Sequence, residues 1–256
     1  MTVSDGSAQY DRFAADYQRT KDAPLRRHVE AYSFMQSLGD VRELRVLDLA
    51  CGDGYYSRLI RQAGAAHVTG IDISTQMIAL AEAQEQSAPL GIEYRCADVT
   101  DLAADTAGEL QSFDLASAAY LLHYATDESA LRCMCASIAN CLPSGGRLVA
   151  INENPMQPAA ADPGYTQYGF NKQFAEPRSE GSTIEYMMVS GREMIRFDVR
   201  YYSAATYEAA LRDAGFTDIT WQPLRLSPDG ITECGAEYWQ AYLNNPPVVL
   251  LEARRA

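Results

Sequence analysis

The chain has 256 residues, 34 acidic against 21 basic side chains, a formal net charge of −13, and 47% apolar residues. Such acidity repels phosphate backbones and anionic lipid surfaces, so neither nucleic acid nor a membrane is expected as a partner, and no apolar run reaches the roughly 18 residues of a spanning helix. The apolar content supports one large α/β domain, or one domain with a lid.

The polar opening stretch, Met1 to Asp16, has no signal-peptide core, and a cytoplasmic protein is expected. A short helix is predicted around Tyr10 to Tyr17, stopped near Pro24, and helical periodicity runs from Arg26 to Leu38, ending at Gly39. Strand and helix then alternate. Strands are predicted at Arg45–Leu49, His67–Asp72, Ile92–Ala97, Phe113–Ala118 and Arg147–Asn152, with helices at Tyr55–Ala63, Thr75–Gln86 and Asp127–Cys141. This alternation predicts a parallel sheet covered by helices on both faces. Residues 155–182, rich in Pro, Gly, Tyr and Asn, read as a long irregular insertion of the kind that forms lids. Thr183–Val189 and Glu193–Tyr202 read as a β-hairpin about Ser190-Gly191, Ala205–Ala214 as a helix, and Phe216–Leu226 and Val248–Arg254 as closing strands with an irregular stretch between them.

The six cysteines, Cys51, Cys96, Cys133, Cys135, Cys141 and Cys234, contain no C-x-x-C pair, and His28, His67 and His123 are scattered. Neither a metal site nor a disulfide framework is expected.

The most informative segment is Val46-Leu-Asp-Leu-Ala-Cys-Gly-Asp-Gly-Tyr-Tyr-Ser57, a buried strand, a glycine turn and a helix start. A dinucleotide fingerprint requires G-x-G-x-x-G, and Ser57 stands at its third glycine. Asp48, ahead of the turn, suits a ligand with an ammonium end better than a pyrophosphate. Asp72 closes the second strand, where a carboxylate accepts from both hydroxyls of a ribose. Asp98 follows the third strand, placed to accept from an exocyclic amine such as that of adenine. Together these acids describe a nucleoside with a cationic, amino-acid-like tail, and S-adenosylmethionine fits.

Asp48-Leu-Ala-Cys-Gly-Asp-Gly54, Asp72, Asp98 in C-A-D-V and Phe113-Asp-Leu-Ala-Ser-Ala-Ala-Tyr-Leu-Leu-His123 resemble the successive motifs of class I S-adenosylmethionine-dependent methyltransferases, over residues 8–154 and the later closing strands. Ala50 replaces the first glycine of that loop. The flanks, Lys21–Glu30 and Glu237–Pro247, are similar to bacterial natural-product methyltransferases, including the N-methyltransferase of toxoflavin-type azaheterocycles. The resemblance implies a Rossmann-like, doubly wound α/β fold with a seven-stranded sheet, mostly parallel with an antiparallel closing strand, and an inserted lid. It divides the single domain into an N-terminal helical cap (1–40), a cofactor-binding core (41–154), a lid (155–202) and closing strands (203–256).

The same resemblance implies a cofactor site formed by Asp48, Ala50, Cys51, Gly52, Gly54, Asp72, Ile73, Met77, Asp98, Val99, Ala118 and Ala119, with Tyr10 and Tyr17 closing over the methionine end. Arg26 or Arg27 either meets the cofactor carboxylate or is a solvated charge. Tyr120 passes beside the transferring methyl. His123 is either a general base for an acceptor hydroxyl or a buried wall of the pocket. Asn152 and Glu153 are within reach of the acceptor. Tyr165, Tyr168, Phe170 and Tyr186 suit a flat aromatic acceptor, unless they only line the underside of the lid. The expected reaction is methyl transfer to a nitrogen or oxygen of a small natural-product-like metabolite, leaving S-adenosylhomocysteine, by a monomer or homodimer. A nicotinamide-dependent oxidoreductase and a non-catalytic cofactor-binding protein are the alternatives.

Overall fold

The computed structural model describes residues 23–102, 113–158, 164–190 and 193–256. The helix predicted at Tyr10 to Tyr17, and both tyrosines, lie outside them. The N-terminal helical segment does not run as α-helix throughout: Arg26–Ala31 is a π-helical turn, which passes into α1, Tyr32–Leu38. The elements that follow are β1 (Arg45–Leu49), α2 (Tyr55–Gln62), β2 (His67–Asp72), α3 (Thr75–Ser87), β3 (Glu93–Cys96), β4 (Leu115–Ala119), α4 (Glu128–Asn140) and β5 (Arg147–Glu153). Then come β6 (Phe170–Phe174), β7 (Thr183–Ser190), β8 (Glu193–Arg200), α5 (Ala204–Asp213), β9 (Phe216–Gln222), the short helices α6 (Pro228–Cys234) and α7 (Gln240–Asn244), and β10 (Val248–Arg255).

Local chemistry sets several helix starts. Ser74, Asp127, Ser203 and Ser227 each accept an otherwise unmatched backbone N–H in the first turn of α3, α4, α5 and α6. Pro228 occupies the first turn of α6, where its missing N–H is harmless. Among the described residues, no helix is long and apolar enough to cross a membrane.

Seven strands form one sheet in the order β3-β2-β1-β4-β5-β10-β9. The pairs β2/β3, β1/β2, β1/β4 and β4/β5 are parallel, and β10 runs antiparallel to both β5 and β9. Strand order reverses between β1 and β4, and the carboxyl ends of those two strands open the crevice where ligands bind in sheets of this type. The side chains alternate between two cores. Leu47, Leu49, Ala116, Ala118, Leu148 and Ala150 face α4 and α5, while Val46, Leu115, Val149 and Ile151 face α1, α2, Trp239 and Tyr242.

The lid expectation needs correction in detail. Residues 155–182 are not irregular throughout: Tyr165–Tyr168 form a 3₁₀ turn and Phe170–Phe174 form β6. β6 pairs with β7, and β7 with β8, in a separate antiparallel sheet. The sequence Phe-Asn-Lys-Gln-Phe has no strong strand signature, and its partner strand makes it one. The stretch before β10, read as irregular, contains α6 and α7.

Candidate functional site

The turn after β1 is held by its neighbour strand. Cys51 N donates to Ile71 O at 3.0 Å, and Gly52 N donates to Asp72 Oδ2 at 2.8 Å. The other oxygen of Asp72 accepts from Ser74 N at 2.9 Å. Three residues of the turn have left-handed backbones: Ala50 at φ 53°, Gly52 at 57° and Gly54 at 86°. A Cβ at Gly52 would meet nothing within 4 Å, so this backbone faces open space, whereas at Gly54 a Cβ would fall 2.2 Å from the Tyr94 hydroxyl. Ala50 keeps the left-handed conformation without being glycine, at a cost of about 1–2 kcal/mol.

Asp48 does not present its carboxylate to a ligand as expected. It is 1% exposed, and its oxygens accept from Ser57 Oγ at 2.5 Å and Ser117 Oγ at 2.7 Å. Burial raises its pKa to about 6, the two serine hydroxyls opposing the shift. The residue ties β1, β4 and the start of α2 together behind the turn. Ser57, which stands at the third glycine position of a dinucleotide loop, is the α2 end of that tie.

Beside Asp72, Ile73 is 41% exposed, an apolar side chain left in solvent at the strand end. Asp98 is exposed and its Oδ1 accepts from Thr100 N at 2.8 Å. Gly52, Asp72, Ile73 and Asp98 therefore follow one another around the carboxyl ends of β1, β2 and β3. Cys51, Met77, Val99, Ala118 and Ala119 are all buried; among them, Met77 N donates to the Ser74 cap. They shape the wall and offer no exposed polar group.

At the end of β4, Tyr120 adopts φ 67°, an uncommon conformation for an aromatic residue. Its N–H donates to Ile151 O at 2.9 Å. β1 and β4 are paired neighbours, and both end in a non-glycine residue with positive φ. Strained backbones of this kind cluster at functional sites. His123 is 2% exposed; its Nδ1 lies 3.2 Å from Asn152 Oδ1 and 3.3 Å from the donating N–H of Glu153. Burial lowers its pKa to about 4, so the ring is neutral at pH 7.

The lid meets the core through a charge pair. Lys172 Nζ, on β6, lies 2.8 Å from Glu153 Oε2 at the end of β5, with both side chains almost fully buried. Lys172 also donates to Pro247 O at 3.1 Å, and the Tyr186 hydroxyl donates to Glu153 Oε1. Glu153 and Tyr186 are thus engaged with each other and with Lys172. Tyr165 and Tyr168 are buried too: the Tyr165 hydroxyl donates to Asn245 O, and that of Tyr168 to Tyr238 O at 2.6 Å. Phe170 stacks between Tyr165 and Tyr186, with centroids 4.9 and 6.2 Å away. Tyr165, Tyr168 and Tyr186 are thus buried, and Phe170 is half-buried between them. Lys172 was missed in the sequence, although it and Lys21 are the chain's only lysines among many arginines. Among the described residues, no group of three or more His, Cys, Asp or Glu side chains is placed to hold a metal ion.

Residues 46–146 match the family described as a methyltransferase domain. A curated relative from Xanthomonas axonopodis pv. citri, the ubiquinone biosynthesis O-methyltransferase, is 34% identical over 113 residues, 43% of this chain and 44% of the relative. The chain spans about half the length of the curated relatives it matches. Among solved structures, an S-adenosylmethionine-dependent methyltransferase from Mesorhizobium loti superposes with a TM-score of 0.61 at 24% identity, covering 92% of this chain and all of that one. The CcbJ methyltransferase from Streptomyces caelestis gives 0.67 at 15% identity, covering 98% and 97%. These likenesses establish the Rossmann-like methyltransferase fold.

Proposed function

We propose that this chain, which carries a methyltransferase domain across residues 46–146 on the class I fold, transfers a methyl group from S-adenosylmethionine to a nitrogen of a small aromatic or heteroaromatic metabolite. The observation that carries the donor assignment is the bridge from Asp72 to the Gly52 N–H, beside backbone that faces open space. A carboxylate has about four acceptor positions, so Asp72 can hold the turn and accept from a ribose as well. Ile73 offers an apolar surface for adenine, and Asp98 an acceptor for its exocyclic amine.

When bound, the donor supplies a methyl already activated by its sulfonium. The chain's own residues align the acceptor and exclude water, and such alignment is worth roughly 7–11 kcal/mol. The lid sheet, closed onto β5 by Lys172 and Glu153, supports the exclusion of water. Nitrogen is preferred as acceptor because a ring nitrogen with a lone pair needs no strong base, and His123 is buried and weakly basic. Transfer to oxygen is the second reading, favoured by the name of the curated relatives, which methylate oxygen in ubiquinone biosynthesis.

Calorimetric titration with S-adenosylmethionine and with NAD(H) tests the donor: affinity for the nicotinamide cofactor alone would overturn the reading. Labelled methyl transfer to paired heteroaromatic and phenolic acceptors then separates nitrogen from oxygen.

A further inference from the structure

Two clusters of buried polar side chains differ in how completely the described residues answer them. In the Glu153–Lys172–Tyr186 cluster both carboxylate oxygens and the ammonium have partners within the fold. In the second cluster two oxygens, one of Glu30 and one of Tyr242, accept or donate no hydrogen bond among the described residues. Arg26 and Glu30 lie four residues apart in the π-helical turn, both buried. Arg26 Nε is 3.4 Å from Glu30 Oε2, and among the described residues that oxygen accepts no hydrogen bond. The hydroxyl of Tyr242, on α7, is fully buried and, among the described residues, also has no hydrogen-bond partner. Buried polar atoms left unanswered are uncommon because each carries a desolvation penalty.

The second cluster adjoins the crevice. Tyr120, at the end of β4, has the Arg26 guanidinium 5.7 Å from its ring centroid. Tyr56, on the same apolar side as Tyr242, stands two residues after Gly54. Burial first, and the Glu30 carboxylate second, raise the pKa of both the Tyr120 and the Tyr242 hydroxyls. π-Helical turns occur frequently at functional sites, since the extra residue per turn redirects side chains.

We infer that Glu30 and Tyr242, with the Tyr120 ring as one wall, form the acceptor subsite and hold the acceptor by a neutral N–H edge, as in a lactam, an amidine-like ring or an aromatic amine. This rests on the methyl-transfer reading of the adjoining crevice. The Glu30 carboxylate accepts from a donor and repels carboxylates and phenolates. Arg26 beside it disfavours a second full positive charge, so an aliphatic ammonium fits less well than a neutral N–H. The Tyr120 ring suits a flat partner.

The test uses the full chain with and without S-adenosylhomocysteine, and as probes uracil, 2-aminopyrimidine and quinazolin-4-one, each beside its N-methylated counterpart. Binding is read by saturation-transfer NMR and titration. Wild type is expected to bind the N–H probes at least tenfold more tightly than the N-methylated ones. Tyr242→Phe and Glu30→Gln are expected to remove that preference and to leave donor affinity within twofold. Tyr242→Phe deletes a hydroxyl that has no hydrogen-bond partner among the described residues, so its melting temperature should not fall; a structural role for that hydroxyl would lower it. The inference is overturned if wild type binds none of the probes, if both variants keep the preference, or if they weaken the donor instead of the probes. Absence of S-adenosylmethionine binding in wild type, measured separately by calorimetry, would count against the methyl-transfer reading.

Discussion

The carboxylate of Asp72 accepts the backbone N–H of Gly52 at 2.8 Å, so the acid ending β2 holds the turn ending β1. Asp72 therefore holds the turn, and in the proposed reading it also accepts from the ribose. Asp72→Ala removes both contributions. Hydrogen bonds to a charged group contribute about 1.5–3 kcal/mol each, and losing two should lower S-adenosylmethionine affinity by about 100-fold or more. Asp72→Asn keeps the shape and should fall between. Calorimetry measures both, and wild-type-like affinity in Asp72→Ala would refute the ribose assignment.

Asp48 and His123 give opposite pH signatures. The pKa of Asp48 is raised to about 6. Its contribution to stability is fully present below the unfolded value near 3.8 and is lost as pH rises to about 6, a change of about 3 kcal/mol. The pKa of His123 is lowered to about 4. Its contribution is present above 6.5 and is lost as pH falls from there to about 4. Asp48→Asn should therefore be at least as stable as wild type at pH 7.5 and relatively weaker at pH 4, whereas His123→Gln should flatten the acid loss. Urea unfolding at pH 4 to 7.5 checks both signs.

The buried Lys172–Glu153 pair predicts a non-additive mutant cycle. Lys172→Met leaves the Glu153 carboxylate buried without its cation, which should destabilise by about 3–5 kcal/mol. Lys172→Met with Glu153→Gln removes the stranded charge and should recover much of that loss. Additive losses in urea unfolding would show that the two groups do not depend on each other.

Gly54 is required both by its backbone and by its neighbour. Gly54→Ala places a Cβ against the Tyr94 hydroxyl and holds alanine at φ 86°. The conformation alone should lower stability by about 1–2 kcal/mol. Adding Tyr94→Leu makes room but leaves the backbone conformation unchanged, so the double variant should recover only part of the loss, in stability and in donor affinity.

The sheet and the donor side of the crevice were legible because their signals are local. Apolar runs mark β1, β2 and β5 to within a residue, and the acids and glycines lie at fixed offsets from the strand ends. Asp48 shows where such signals stop. Its position was read correctly, but its partners, Ser57 and Ser117, lie 9 and 69 residues away, and those contacts turn it from a ligand group into a tie. The aromatic residues of the lid posed the same problem. Composition suggested an acceptor surface, whereas β6 pairing and contacts to residues near 240 bury Tyr165 and Tyr168. Glu30 gave no sequence signal, since in the inferred subsite its counterpart is a hydroxyl on α7 more than 200 residues away.

The chain leaves the main sheet at Glu153 and returns to it at Phe216, with the three-stranded lid sheet and α5 between, and β10 then closes against β5. The donor half and the lid are thus separate lengths of chain sharing a border at the end of β5. Substrate preference can diversify in such an arrangement by exchange of the excursion alone, with the strand ends that hold the donor left intact. Glu153 constrains that freedom: a foreign excursion grafted there must bring its own cation to the position of Lys172, or the border acid must change with it.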